Sequence, residues 1–337
     1  MQRRRFAVVA GGLTLILCLA TSHAATYTVS PGQSIAAALS RLSGGDTLII
    51  EAGTYREGNL TPPSGSSGAP TVVRAAAAGQ VILQPGDRGI DTVFDLQSGR
   101  HDITIEGIVI DGSMETAYPV YGAPDVRGIT LRNVEIRNGR ASGGLLGGGY
   151  WTIENSSIHH NGVNCCATHS DDHGLYFSAG HSVIRNNTFE ANACYNIQVY
   201  HGDDPNENVI EGNTFTGSKC GVTLTNGSGH IFRNNTIIDD ALYYDRNALL
   251  IHESNTRIEG NAFVRINVIG IGGGNSASVQ IVNNRLCDAT IEADGATQSG
   301  NQTSCDNLPS LDRPPVVSQP PAPRLPAPRN LRLVGQP

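Results

Sequence analysis

The chain has 337 residues, of which 16 % are charged, with 40 glycines and a formal net charge of −7. That acidic balance excludes a basic nucleic-acid-binding protein. Abundant glycine and a 5 % aromatic content favour strands and turns over packed helices.

Residues 1–24 read as a signal peptide: Arg3, Arg4 and Arg5 precede an apolar run from Phe6 to Ala20, and Ser22-His23-Ala24 supplies the small residues of a cleavage site. The run is too short and wrongly flanked for a membrane span, so a secreted or periplasmic protein without membrane insertion is expected. Without the three signal arginines the charge falls to −10, and without the four arginines from Arg313 onward it falls to −14. Such a body repels nucleic acid and anionic membranes. Past Cys18 the cysteines are Cys165, Cys166, Cys194, Cys220, Cys287 and Cys305, an even number that suggests disulfides in an exported chain. Cys287 with Cys305 is the expected bridge at the C-terminal end; the other four lie on neighbouring turns and can form two more.

From Thr26 to Tyr55 the pattern is strand, helix, strand. Ser34 to Leu42 has helical spacing and stops at Gly44-Gly45. A short amphipathic helix there would cap the open apolar end of a strand stack. Asp46-Thr-Leu-Ile-Ile50, Val72-Val73 and Val81-Ile-Leu83 follow as strands.

After residue 100 one unit recurs, with starts at Ile105, Leu131, Ile153, Ile184, Ile210, Phe232, Ile258 and Ile281, spaced by 26, 22, 31, 26, 22, 26 and 23 residues. A period in the low twenties marks a solenoid whose coils stack strands into long parallel sheets. Asn187, Asn213, Asn235, Asn261 and Asn284 form one column, where a short amide tolerates a left-handed turn and can bond to the amide above it.

These units resemble those of right-handed parallel β-helix proteins, the group that includes pectate lyases, chondroitinase B-like lyases, alginate epimerases and polygalacturonases. The opening Gln33-Ser-Ile, Gly45-Asp-Thr-Leu-Ile-Ile and Gly53-Thr-Tyr55 also resembles that of many bacterial polysaccharide lyases. The resemblance implies an all-β chain, a right-handed parallel β-helix over residues 25–305 with a short N-terminal capping helix, acting as a monomer on polysaccharide. Residues 306–337 form a Pro-rich tail, expected to be extended and poorly packed.

The longest interval, Ile153 to Ile184, must release a loop, and it carries His159, His160, His169, Asp171, Asp172 and His173. Aligning the third strand of each coil on the inward pairs Leu175/Phe177, Ile197/Val199, Val222/Leu224 and Leu249/Ile251 gives outward columns. One holds Tyr176, Gln198, Thr223 and Leu250; the next holds Ser178, Tyr200, Thr225 and His252. Asp172, Cys194, Lys219 and Arg246 precede these strands in a further column.

This set suits sugar chemistry. β-Elimination from a uronic acid needs a base, a group that neutralises the carboxylate, and an acid for the leaving oxygen. His173 or His201 would be the base, Tyr200 or Tyr176 the acid, and Arg246 or Lys219 the neutraliser, with Asp172 at the rim. Gln198, Thr223 and His252 would contact substrate. The Asp203-Asp204-Pro205-Asn206 run offers oxygen ligands for Ca²⁺, which would offset the charge of an acidic polysaccharide. Ser178 and Tyr200 stand where chondroitinase B-like lyases carry lysine and arginine, so that mechanism is not carried over. Asp171-Asp172-His173 echoes only part of the epimerase Asp-Pro-His-Asp motif. A lyase or epimerase of uronic-acid polysaccharides is the expectation; a non-catalytic carbohydrate-binding or surface-binding solenoid and a glycoside hydrolase are the alternatives.

Overall fold

A computed structural model describes residues 24–86, 92–163, 172–240, 247–251, 254–266, 268–271 and 276–306. The signal segment, apart from Ala24, and the tail beyond Asp306 lie outside the described residues.

Each coil contributes one strand in turn to three parallel sheets, which hold 12, 11 and 9 strands among the described residues. One coil shows the plan. Val183–Arg185 belongs to the first sheet, Thr188–Glu190 to the second and Tyr195–Val199 to the third, after which Val209–Glu211 re-enters the first. Register is kept from coil to coil, with Ile184 beside Ile210 and Phe189 beside Phe215. The alternation in sequence therefore becomes columns of like side chains facing inward. The Phe189 and Phe215 rings stack at 5.0 Å, and Phe215 and Phe232 at 5.9 Å. Burial of each such ring contributes roughly 1.5–3 kcal/mol.

The asparagine column is a hydrogen-bonded ladder. The Asn187 amide donates to Asn213 Oδ1 at 3.0 Å, Asn213 to Asn235 at 3.1 Å, Asn235 to Asn261 at 3.1 Å and Asn261 to Asn284 at 2.9 Å. These amides are buried. The left-handed turn belongs to the residue before each of them, at Asn186, Gly212, Asn234, Gly260 and Asn283, which corrects the expectation that one amide does both tasks.

The N-terminal helix is shorter than its periodicity suggests, Ile35–Leu39. The Ser34 hydroxyl accepts the Ala37 N–H at 3.1 Å, while the Glu57 carboxylate accepts the N–H groups of Ile35 and Ala36 at 2.7 and 2.9 Å. A carboxylate from another coil thus satisfies donors left open at the helix start. Ile35 and Leu39 are buried over the end of the core. At the other end Cys287 is bonded to Cys305 as expected, with Cα atoms 4.8 Å apart. No helix among the described residues is long and apolar enough to cross a membrane.

Candidate functional site

The inward alignment of the third sheet holds. Leu175, Ile197, Val222 and Leu249 are direct neighbours on successive coils and are fully buried. The outward column runs Tyr121, Leu145, Tyr176, Gln198, Thr223, Leu250. Tyr176 and Gln198 are half-buried, whereas Thr223 is only 1 % exposed and its hydroxyl is 2.9 Å from that of Thr225. Thr223 points outward as expected, yet that part of the face is covered, so it offers no open contact for a ligand.

Tyr200 and His201 complete the cluster from the turn that follows the strand. The Tyr176 and Tyr200 rings meet edge-on at 6.2 Å, and the Tyr200 and His201 rings lie 3.7 Å apart. Three bonds hold this turn: Tyr200 N–H donates to Phe177 O at 3.2 Å, Ser178 Oγ to Tyr200 O at 2.8 Å, and His201 N–H to Asn226 Oδ1 at 3.1 Å. His201 (φ +58°) and Gly202 (φ +91°) are both left-handed. A Cβ at 202 would sit 2.1 Å from Ser178 O, so the sharp reversal that presents His201 to solvent requires glycine there.

Asp172 and His173 do not stand at an exposed rim. Asp172 is 8 % exposed and accepts the Val163 N–H at 3.1 Å. His173 is 1 % exposed; its Nδ1 accepts the Tyr195 N–H at 3.3 Å, and its own N–H donates to Ser142 Oγ at 3.2 Å. With Nδ1 accepting, the proton of the neutral ring is on Nε2, which is buried without a hydrogen-bond partner among the described residues. The ring packs between Tyr176 at 5.8 Å and Tyr195 at 5.3 Å. His173 therefore supports the tyrosine cluster from below.

The column before these strands is shifted by one residue. Asn196 bulges out of register, so Tyr195 pairs with Gly221 while Ile197 pairs with Val222. Backbone bonds then link Asp172 to Cys194 at 2.7 Å and Cys194 to Cys220 at 3.1 Å, which puts Cys220, not Lys219, in that column. The two sulfurs lie 3.4 Å apart. Lys219 is exposed beside it. Arg246, His252, His169, Asp171, Cys165 and Cys166 lie outside the described residues.

Asp203 and Asp204 are exposed in the following turn. Asp204 bonds to His181 Nε2 at 2.9 Å and also accepts the Asn206 amide, and the His181 bond leads the causes that hold its carboxyl below the usual range. Glu207 also reaches His181, through Nδ1 at 3.2 Å, so the two carboxylates meet opposite nitrogens of the ring.

Two features escaped the sequence reading. A cleft of about 500 Å³ on the second sheet is lined by Val109, Asn133, Glu135, Asn155, Ser157 and Thr188. Beside it Glu135 bonds to His159 Nε2 at 3.2 Å, and His159 Nδ1 lies 2.8 Å from His160 Nδ1. The His159 bond is the main cause of a lowered Glu135 carboxyl, while burial and then the His159 charge push His160 down. Tyr150, stacked on His181, is the second. The register that joins these residues depends on unequal coil lengths, which no short motif records.

Architecture and register define a right-handed parallel β-helix with an aromatic and histidine cluster on the outer face of its third sheet. Residues 95–237 match the family model described as right handed beta helix region. Among solved structures the chain is similar to an alginate lyase from Paenibacillus sp. str. FPU-7, at 15 % identity and a TM-score of 0.63, over 83 % of this chain and 99 % of that one. It is also similar to the pectate lyase Pel9A, at 17 % identity and a TM-score of 0.61, over 86 % and 84 % of the two chains. No curated protein sequence matches the chain.

Proposed function

We propose that the protein is a carbohydrate-active enzyme that acts on uronic-acid polysaccharides at the outer face of the third sheet, by β-elimination. The carrying observation is the contact of Tyr176, Tyr200 and His201 beside Gln198, four polar or aromatic side chains on two successive coils. A sugar chain laid along the coil axis would stack on the tyrosines and bond to Gln198. His201, exposed at its turn, takes the proton beside the uronate carboxylate; the electron pair forms the ring double bond as the glycosidic C–O bond breaks; Tyr200 protonates the departing oxygen. If the proton returns to the opposite face without bond cleavage, the same groups give epimerisation. Arg246 or Lys219 is the cation proposed to neutralise the carboxylate.

The likeness of the fold to an alginate lyase and a pectate lyase supports this reading of substrate class. The Cys287–Cys305 disulfide supports export, because such bonds persist in oxidising compartments. Burial of Asp172, His173 and Thr223 favours a second reading, a β-helix that binds polysaccharide without turning it over. Incubation with pectate, alginate and chondroitin separates the two. Rising ultraviolet absorbance from unsaturated product is the expected result; binding without product on all three supports the second reading.

A further inference from the structure

Tyr150 lies in the turn that leads from the third sheet into the first, apart from the cluster described above. Its place in the coil is fixed by one recurring backbone bond. Gly128 N–H donates to Gly149 O, Tyr150 N–H to Gly180 O, His181 N–H to Asn206 O, and Glu207 N–H to Ser228 O, at 3.3, 2.9, 2.7 and 2.9 Å. Residues 128, 150, 181, 207 and 229 are thus one column, and all are left-handed, with φ of +65°, +59°, +51°, +54° and +72°.

Glycine occupies two places in this column and adopts such a backbone without strain, and the column continues through Asp102 and Asn255, which are left-handed as well. Tyr150 adopts it as a bulky residue and leaves its ring in solvent, at 60 % exposure. The fold needs neither feature, since Gly128 and Gly229 close the same turn. The left-handed backbone is common to the column; the exposed aromatic ring is what distinguishes Tyr150, and it points to binding.

The surroundings specify the ligand. The Tyr150 and His181 rings are stacked at 5.2 Å and 17° from parallel. His181 is clamped through both nitrogens, by Asp204 at 2.9 Å and Glu207 at 3.2 Å, so Tyr150 has a rigid backing on one side. Asp204 and Glu207 are 59 % and 70 % exposed and can accept sugar hydroxyls beside the ring. Two carboxylates against one imidazole leave the patch negative, which repels a uronate and suits an uncharged sugar.

We propose that Tyr150, backed by His181 and flanked by Asp204 and Glu207, is a second carbohydrate contact that stacks an uncharged sugar ring. It holds neutral glycan close to the enzyme without taking part in the reaction at the third sheet, and it does not depend on that reaction being β-elimination.

The test is electrophoresis of the full chain in native gels containing galactomannan, arabinoxylan, dextran or pectate. At least one neutral polysaccharide should retard the wild type. Tyr150→Ala and Tyr150→Gly should lose that retardation at least tenfold in apparent affinity, and Tyr150→Phe should retain it. Since Tyr150 is exposed and glycine fits its backbone, melting temperatures should be unchanged and product release from polyuronates should match the wild type. No retardation by any neutral polysaccharide, equal retardation of Tyr150→Gly and wild type, or Tyr150-dependent retardation by pectate alone would each overturn the proposal. Product release is measured separately, so failure of the lyase reading is distinguishable from failure of this one.

Discussion

The imidazole of His173 and the backbone of Tyr195 on the next coil are joined by a hydrogen bond of 3.3 Å in which Nδ1 is the acceptor. The lone pair that a general base would use is therefore occupied, and the remaining ring proton points into a buried space. Nitrogen-15 NMR of the imidazoles should find His173 Nδ1 as the hydrogen-bond acceptor. His173→Ala removes the buried ring that accepts the half-buried Tyr195 N–H and should destabilise the fold by about 1–3 kcal/mol. Urea unfolding checks this; an unchanged midpoint would show that the bond is not made.

His201 differs in being exposed and, among the described residues, held through its backbone and the Tyr200 ring. In the proposed reaction His201→Ala and Tyr200→Phe should each lower kcat by about 10²–10⁴-fold with little change in unfolding midpoint. Initial rates of product formation, read beside urea curves, separate a chemical loss from a structural one.

Asn213 gives its amide protons to Asn235 Oδ1 and to Ile184 O, at 3.1 and 2.8 Å, and its carbonyl receives Asn187. Asn213→Ala removes one rung: the Asn187 N–H and amide lose their acceptor, while Asn235 Oδ1 keeps only the backbone N–H of residue 213. A loss of about 1–3 kcal/mol is expected for a surviving partner left unsatisfied, more if both are. Asn213→Asp, which keeps the acceptor and loses the donors, should fall between wild type and alanine at low pH.

The pH dependence of stability should have an acid limb from Glu154. Burial acts to raise its carboxyl, but Arg132 at 2.6 Å and Arg185 at 2.5 Å outweigh it and hold the group below the usual range. A depressed carboxyl contributes stability above its unfolded pKa of about 4.5, and that contribution is lost as pH falls through the folded value. Glu154→Gln should therefore be less stable than wild type at pH 7 and equal to it in strong acid. His181 acts in the opposite sense. Asp204 above all, with Glu207, raises its pKa, so its contribution is complete below about 6.5 and is lost as pH climbs through the folded value. Exposure to solvent keeps that second effect small.

Much of the fold was legible because one cause, the inward stacking of apolar residues at each coil, repeats in the sequence. The pairs Leu175 with Ile197 and Val222 with Leu249 follow from alternation alone. The Asn187 column was legible for the same reason, although the left-handed residue turned out to be its predecessor. The site was legible only as to which side of the sheet a residue faces. Alternation puts Tyr176, Gln198 and Thr223 outside, but it cannot say that Thr223 is covered, since cover depends on the course of turns of unequal length. It also cannot reveal the Asn196 bulge, which takes Lys219 out of its expected column, or the backbone bond that buries His173. Tyr150 carried no motif; its exposure and its stacking on His181 set it apart.

The most direct test of the account is a crystal structure of the His201→Ala protein grown with a tetra-uronate. Sugar rings should lie along the coil axis over Tyr176, Gln198 and Tyr200, with a uronate C–H turned toward position 201. Density for the oligosaccharide over the second-sheet cleft instead, or none on the third sheet at saturating ligand, would contradict the claim that this face is where the protein meets its substrate.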